Sequence, residues 1–291
     1  HTHPYPECLV FVGLDPDRPE YLGAKLQYCL GEELEMHYFD KPSVVIAPGG
    51  FWHCPSVTTD VTSPIGYSFF IISLGAGPAS TWLGDGVSAE QTQRMQGLAA
   101  ESEKSGRKAP MDSTFGAKRV HFSEENISRG HRYDDYVKPL IPNTPAKRRL
   151  TAAQKARYGE MAERWQPGPG LCENAVWMFG DDLLGMNVNW CWGIHKNPGA
   201  WLRGPGSGLH IHPNDEVMMF AGTDPADIEY LGAEIQIDLG EHGERYVIDR
   251  PTAVVLPKGT PHGNIVTRWV DRPFGYLLMS LAQDHKTSYL K

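Results

Sequence analysis

The chain contains 291 residues, of which 41% are hydrophobic, and its formal net charge is −8. A chain of this length can bury a large core and is long enough for two domains. The acidic balance argues against a surface for nucleic acid, and no apolar run reaches the roughly 18 residues of a membrane span, so we expect neither partner. Five cysteines without a Cys-x-x-Cys pair fit a reducing compartment, which predicts a cytoplasmic protein.

The first 53 residues occur a second time near the C-terminus. Residues 1 to 53 align with residues 210 to 262 without a gap, at a constant offset of 209, and 24 of the 53 positions are identical. A repeat of this length indicates two copies of one structural unit.

Both copies have the pattern of short β-strands. The apolar or alternating runs are Val44 to Ala47, Ser68 to Ile72, Val217 to Phe220, Glu234 to Ile237 and Ala253 to Leu256. Turns rich in Gly, Pro and Asp separate them, and regularly spaced short strands of this kind predict a sandwich or barrel. Residues i and i+2 of a strand share a face, so the two histidines of each His-x-His pair point the same way.

The middle of the chain has no counterpart in either copy. Ser88 is expected to cap a helix that ends near Lys104, and Thr151 to cap another, with a polar loop from Lys118 to Pro145 between them. We therefore predict an N-terminal barrel over residues 1–80, a helical and loop insert over residues 81–170, and a C-terminal barrel over residues 171–291. Strand-like pieces precede the second His-x-His but not the first, so we expect the leading strands of the first barrel upstream of His1.

Each copy contains the same four potential metal ligands. They are His1, His3, Glu7 and His53 in the first copy, and His210, His212, Glu216 and His262 in the second. Three imidazoles and one carboxylate leave two positions open on a six-coordinate ion, as a catalytic metal requires. The set predicts one divalent transition metal in each barrel, Mn or Fe in the first place, with Co, Ni or Zn as alternatives.

These residues resemble the two motifs of the cupin superfamily. The second copy reads Gly204-x5-His210-Ile211-His212-x3-Glu216-x5-Gly222, followed by Pro257-Lys258-Gly259-Thr260-Pro261-His262. The resemblance covers residues 1–74 and roughly 172–291. It implies a bicupin, an all-β protein with two jelly-roll-like barrels that each hold one metal through the four residues named above. Bicupins often pack through their barrels, so the resemblance also implies a homo-oligomer.

Residues beside the ligands are candidates for contact with a substrate. Arg203 could bind a substrate carboxylate with both arms of its guanidinium, and Tyr5 and Asn264 lie next to the ligands in sequence. Histidines outside the repeat pattern, among them His37 and His285, are expected to be solvated or structural. The same expectation holds for His131 and His195, whereas Glu35 lies in a turn between strands and is expected in a solvated loop.

The ligand sets and the cupin resemblance together predict a metal-dependent enzyme that acts on a small oxygen-rich molecule. Two mechanisms remain open. A dioxygenase would cleave a C–C bond with O2, and this is slightly favoured; a decarboxylase, hydrolase or lyase would use the metal as a Lewis acid without O2. A third reading is a non-catalytic binding or storage bicupin.

Overall fold

The computed structural model describes residues 1–32, 34–77, 80, 131–141, 175–201 and 208–290. Within these ranges the regular structure is almost entirely β, and the only helical element is a single turn at Asp134–Tyr136. The all-β prediction is therefore confirmed. The helices predicted from Ser88 and Thr151 lie outside the described residues. No helix in the described ranges is long and apolar enough to cross a membrane.

The strands fall into two groups in chain order. The first group is β1 Glu7–Gly13, β2 Ala24–Leu30, β3 Glu35–Phe39, β4 Ser43–Ala47, β5 His53–Val61, β6 Tyr67–Ser73 and β7 Val137–Pro139. The second group begins with β8 Val176–Met178, β9 Asn189–His195, β10 Gly199–Ala200, β11 Leu209–Ile211 and β12 Glu216–Gly222. It continues with β13 Ala233–Leu239, β14 Glu244–Ile248, β15 Thr252–Leu256, β16 His262–Val270, β17 Phe274–Ser280 and β18 Ser288–Tyr289.

The internal repeat is visible in the strand boundaries. Strands β1 to β5 and β12 to β16 begin and end 209 residues apart, which is the offset of the sequence repeat. Strands β6 and β17 are 207 residues apart, so the connection before β6 is two residues longer than the one before β17. The repeat in sequence is thus a repeat of a strand arrangement.

The first unit contains two antiparallel sheets. One has the order β6-β1-β4-β7, and the other has the order β3-β2-β5. Strand β7 pairs with β4 through Val45 and Val137, although the sequence places residues 118–145 in a loop. This part of the expected loop is therefore a strand, because pairing with β4 satisfies backbone groups that a loop would leave to water.

The second unit has the same sheets with additional strands. The order β15-β12-β17 matches β4-β1-β6 and continues into β9 and β8, whereas β14-β13-β16 matches β3-β2-β5 and continues into β11 and β18. Alternate residues of β12 face inward, beginning with the buried Glu216, Met218 and Phe220. Period-two alternation therefore directs a ligand and two core residues toward the same interior.

Packing divides the chain into two compact units. The first comprises His1–Val12, Gly23–Thr62 and Phe69–Pro139, and the second comprises Gly13–Leu22, Ser63–Ser68 and Leu140–Lys291. The domain boundaries expected at residues 80 and 170 stay a prediction. Among the described cysteines, Cys8, Cys29 and Cys191 are buried and Cys54 is partly buried.

Candidate metal centres

The second unit brings its four expected ligands together at the ends of three strands. His210 lies in β11, Glu216 begins β12 and His262 begins β16, while His212 follows β11 directly. His210 and His262 are direct partners in the antiparallel pairing of β11 with β16. All four side chains are buried, and the three imidazole nitrogens lie close enough together to hold a metal ion.

Backbone carbonyls orient the three imidazoles of this centre. The Nδ1 atoms of His210, His212 and His262 lie 3.1, 2.7 and 2.9 Å from carbonyl oxygens of Gly208, Lys286 and Thr260, respectively. A carbonyl can only accept, so each Nδ1 carries the hydrogen and each Nε2 keeps a lone pair. This arrangement is typical of histidines that bind metals through Nε2.

The spacing of the inward atoms fits a common ion. Oε2 of Glu216 lies 3.4 Å from Nε2 of His212 and 3.6 Å from Nε2 of His262. Two atoms that each bind a divalent ion at about 2.1 Å, at angles of 90–110°, are about 3.0–3.4 Å apart. The Nε2 atom of His262 is buried and has no hydrogen-bond partner among the described residues. A bound cation would satisfy this atom, so the residues present fit a metal.

Burial keeps the imidazoles neutral. It lowers the pKa of His212 to about 4 and that of His262 to about 3, with the charge of His210 acting in the same direction. Burial also raises the pKa of Glu216 to about 8, which a hydrogen bond from Ser280 opposes. The metal-free centre therefore holds neutral ligands at neutral pH, and Glu216 must release its proton to bind a cation.

A cavity of about 80 Å³ opens onto this centre. His210, His212 and Glu216 contribute to its wall, and apolar side chains line most of the remainder, including Trp177 and Trp201. Small-molecule sites commonly combine an apolar wall with a few polar groups. The cavity therefore offers a small molecule access to the ligands within a largely apolar environment.

Two further polar residues reach the second centre, and no pattern in the sequence indicated either of them. Nδ1 of His285 lies 3.3 Å from Oε1 of Glu216, and the His285 side chain is buried and lines the cavity. His285 was expected to be solvated or structural, and its burial contradicts the first of these alternatives. Ser280 pairs with Glu216 across β17 and β12. His285 has no histidine counterpart in the first copy, so the repeat carried no signal for it.

The first unit assembles the corresponding four residues. The imidazoles of His1, His3 and His53 lie close enough together to hold a metal ion. Oε2 of Glu7 lies 3.4 Å from Nε2 of His3 and 3.5 Å from Nε2 of His53. Nδ1 of His53 faces the carbonyl of Phe51 at 3.0 Å, as its counterpart His262 faces Thr260. The geometry of the second centre is thus repeated in the first.

The first centre differs from the second in its electrostatics. Burial raises the pKa of Glu7, but hydrogen bonds from His53 and Ser73 and the charge of His3 outweigh burial, so the pKa is lowered overall. The Ser73 hydroxyl donates to Oε1 of Glu7 at 2.5 Å. His1 and His3 are only partly buried. Glu7 is therefore ionised at neutral pH without a metal, whereas Glu216 is not.

A glycine turn positions the third histidine of each centre. Phe51 N donates to Pro48 O, and Thr260 N donates to Pro257 O, each at 3.0 Å. Gly50 and Gly259 adopt φ values of 76° and 79°, which glycine tolerates better than other residues. Each glycine also donates its N–H to the His-x-His segment, at His3 O and His212 O. The Pro-x-Gly turn thereby joins the two ligand-bearing segments.

The three candidate substrate residues have different surroundings. The Tyr5 ring stacks on His3 with 5.3 Å between centroids. The Asn264 amide donates to Asp238 at 3.0 Å, and Asn264 is not among the described residues that line the cavity. Its φ of 47° lies in the left-handed region that asparagine tolerates. Arg203 lies outside the described residues. Contact of any of the three with a substrate stays a prediction.

Comparisons with known proteins identify the fold. No protein-family model matches the sequence, and no curated protein matches it. Solved structures of oxalate decarboxylase do match. A structure of the Bacillus subtilis enzyme, described by its Mn(II) centres, aligns with a TM-score of 0.54 at 12% identity, over 100% of this chain and 67% of that chain. A second oxalate decarboxylase, described by its substrate binding mode, aligns with a TM-score of 0.54 at 13% identity, over 100% and 66% of the two chains.

A third match is a deletion mutant of B. subtilis oxalate decarboxylase, with a TM-score of 0.51 at 12% identity, over 100% of this chain and 66% of that chain. The chain thus spans about two-thirds of the length of these structures. At such identities the similarity concerns the fold. The chain has the cupin-like β fold that oxalate decarboxylase also has.

Proposed function

We propose that this chain is a bicupin metalloenzyme that cleaves a C–C bond in a small carboxylate-bearing substrate, by decarboxylation and without O2. The observation that carries the proposal is the buried ligand set of His210, His212, Glu216 and His262 beside an apolar cavity. A divalent Mn or Fe ion bound there would supply a Lewis acid with open positions for substrate oxygens. The fold similarity to oxalate decarboxylases supports the non-oxidative alternative over the dioxygenase.

The chain's own residues would bind and shield the reacting carboxylate. In the reaction, the bond between the carboxylate carbon and its neighbour breaks, CO2 leaves, and a proton takes its place. The apolar wall near Trp177 and Trp201 would exclude water and favour departure of the uncharged CO2 from a charged substrate. His285, at 3.3 Å from Glu216, would offer a hydrogen bond to a substrate oxygen at the same wall.

We assign turnover to the second unit. Its centre combines strong burial, an adjoining cavity and the additional imidazole of His285. No described residue provides the first centre with a counterpart of His285, and its ligands His1 and His3 are partly exposed. We therefore infer that the first centre binds its metal without being the site of the reaction.

Two other functions would give different experimental results. A dioxygenase, the mechanism that the sequence slightly favours, would consume O2 together with substrate. A binding or storage bicupin would turn over nothing and would not need eight ligands arranged as two centres. The same proposal includes a small-molecule substrate, a homo-oligomeric state and a cytoplasmic location.

The test is product formation with and without oxygen. Metal-free protein would be loaded with Mn²⁺ and incubated with oxalate and a series of two- to four-carbon oxo- and hydroxy-acids, in air and under argon, while CO2 and O2 are measured. We expect equal CO2 release under both gases with at least one acid. Glu216→Gln should abolish the release, and His242→Asn, at an exposed position, should not. Stoichiometric O2 uptake would establish the dioxygenase instead, and the absence of any turnover would favour binding or storage.

A further inference from the structure

A second group of metal-ligating side chains lies in the first unit and is distinct from the His1, His3 and His53 centre. Glu35 and His37 belong to β3, two residues apart and therefore on the same face. Asp134 lies in the helical turn before β7. One atom from each of these three side chains lies close enough to the others to hold a metal ion. Glu35 and His37 are both buried, contrary to the expectation of a solvated turn at Glu35.

The distances place His37 between two carboxylates. Its Nε2 lies 3.0 Å from Oε1 of Glu35, and its Nδ1 lies 3.8 Å from Oδ1 of Asp134. The other Asp134 oxygen, Oδ2, lies 3.1 Å from Nδ1 of His131, which orients the carboxylate. Glu35 is held by the backbone N–H groups of Arg132 and Tyr133, at 3.3 and 3.2 Å. Each ligand is thus fixed by a neighbour.

The buried ring of His37 is the observation that points to a ligand. Only 9% of its surface is exposed, and its Nε2 makes no hydrogen bond to any described residue despite the short distance to Glu35. A neutral imidazole has one N–H, so one of its nitrogens presents a lone pair toward a carboxylate oxygen. Such a contact is repulsive, and a buried polar atom without a partner is costly. A cation bound by all three side chains removes both penalties.

Within the part of the chain that the structure describes, the second copy has no such group. The positions equivalent to Glu35 and His37 are Glu244 and Tyr246, which are exposed. The Tyr246 hydroxyl donates to Oε2 of Glu244 at 3.3 Å. In the first copy, residues 131–139 lie against β3, and position 37 is a histidine. In the second copy they do not lie against the equivalent strand β14, and Tyr246 takes the place of the histidine.

We propose that Glu35, His37 and Asp134 bind a divalent transition metal that joins residues 131–139 to β3. One imidazole and two carboxylates are ligands that Zn²⁺ and Mn²⁺ both accept. The exposed Asp134 leaves room for water to complete the coordination. The site would stabilise the attachment of β7, whose short pairing with β4 involves only three residue pairs. The proposal does not depend on the proposed function, because the site shares no ligand with the other two centres.

The test compares zinc content in the full chain. Metal-free wild-type, His37→Tyr, Asp134→Asn and Asp135→Asn proteins would be dialysed against Zn²⁺, and bound zinc would be counted per chain. His37→Tyr introduces the residue of the second copy and should lower the count by one equivalent. Asp134→Asn should weaken that equivalent about tenfold or more, whereas Asp135→Asn, at the exposed neighbouring position, should leave it unchanged.

A second readout follows the segment itself. Zn²⁺ should slow hydrogen exchange at the amides of Arg132 and Tyr133 in the wild-type protein and not in His37→Tyr. An unchanged zinc count in His37→Tyr together with an unchanged zinc affinity in Asp134→Asn would overturn the proposal. The imidazole and the two carboxylates would then be joined by shared protons instead of a metal. If His37→Tyr does not fold, the comparison of Asp134→Asn with Asp135→Asn decides in the same way. Zinc bound at the other two centres contributes equally to every variant, so it cancels when the zinc counts of two variants are subtracted.

Discussion

Nδ1 of His285 lies 3.3 Å from Oε1 of Glu216, and both side chains are buried against the same cavity. The His285 ring also lies 4.4 Å from that of His212, measured between centroids. The second centre therefore has an imidazole beyond the repeated ligand set, and among the described residues no such imidazole reaches the first centre. This difference is the structural basis for assigning the reaction to the second unit.

Replacement of His285 should separate metal binding from turnover. We expect His285→Gln to retain Mn²⁺ in the second centre and to lower kcat about 100-fold, because removal of one oriented donor typically costs that much. Metal content and CO2 release would be measured on the same sample. Loss of one metal equivalent instead would show that His285 is itself a ligand.

Removal of one ligand should empty one centre alone. His212→Ala takes an imidazole from the second centre, so we expect the metal content to fall by one equivalent while the first centre remains loaded. Elemental analysis of the variant and of His242→Asn, whose exposed side chain belongs to neither centre, measures this directly. Simultaneous loss of both metals would mean that the two units do not bind metal independently.

Glu216 should make the stability of the metal-free protein fall as the pH rises toward 8. Its pKa is about 8 in the folded protein, against about 4.3 in an unfolded chain. The folded protein thus keeps a proton that the unfolded chain releases, and the free energy of unfolding falls as pH rises through this window. The buried His212 and His262 act in the opposite direction, since stability is lost as pH falls below about 6.5.

The contribution of Glu216 can be isolated between pH 6.5 and 8 by comparison with Glu216→Gln, because the remaining titration of the two histidines is common to both proteins. We expect the stability of wild-type protein relative to Glu216→Gln to fall by about 2 kcal/mol across this interval. Urea unfolding of both metal-free proteins at several pH values measures the difference. Parallel curves for the two proteins would contradict the raised pKa.

The glycine of the second Pro-x-Gly turn should be sensitive to substitution. Gly259 has a φ of 79°, and an added Cβ would meet no atom within 4 Å, so Gly259→Ala would suffer only the backbone strain. We expect a loss of about 1 kcal/mol in stability and weaker metal binding, because the turn positions His262. Gly77→Ala is the matched control, since Gly77 has equal space and no left-handed φ. Equal effects of the two substitutions would exclude the conformational explanation.

The sequence alone determined the repeat, the all-β class and the two sets of four residues that converge. These features were accessible because they are periodic or duplicated: His-x-His alternates on a strand, and an offset of 209 residues relates both ligand sets. Strands β1 to β5 and β12 to β16 keep this offset in the structure. The metal occupancy of the two centres and the roles of Tyr5, Arg203 and Asn264 remain predictions.

Only the tertiary structure decided which other side chains reach the centres. His285 meets Glu216, and Asp134 meets His37, across long separations in the chain with no spacing rule and no copy elsewhere in the sequence. The serines that face the two carboxylates, Ser73 and Ser280, are 207 residues apart, so the register of the repeat could not relate them. Such contacts depend on how strands and turns pack. The local sequence pattern does not distinguish these residues from many other polar residues, and burial and hydrogen bonding in the folded chain decide which of them reach a centre.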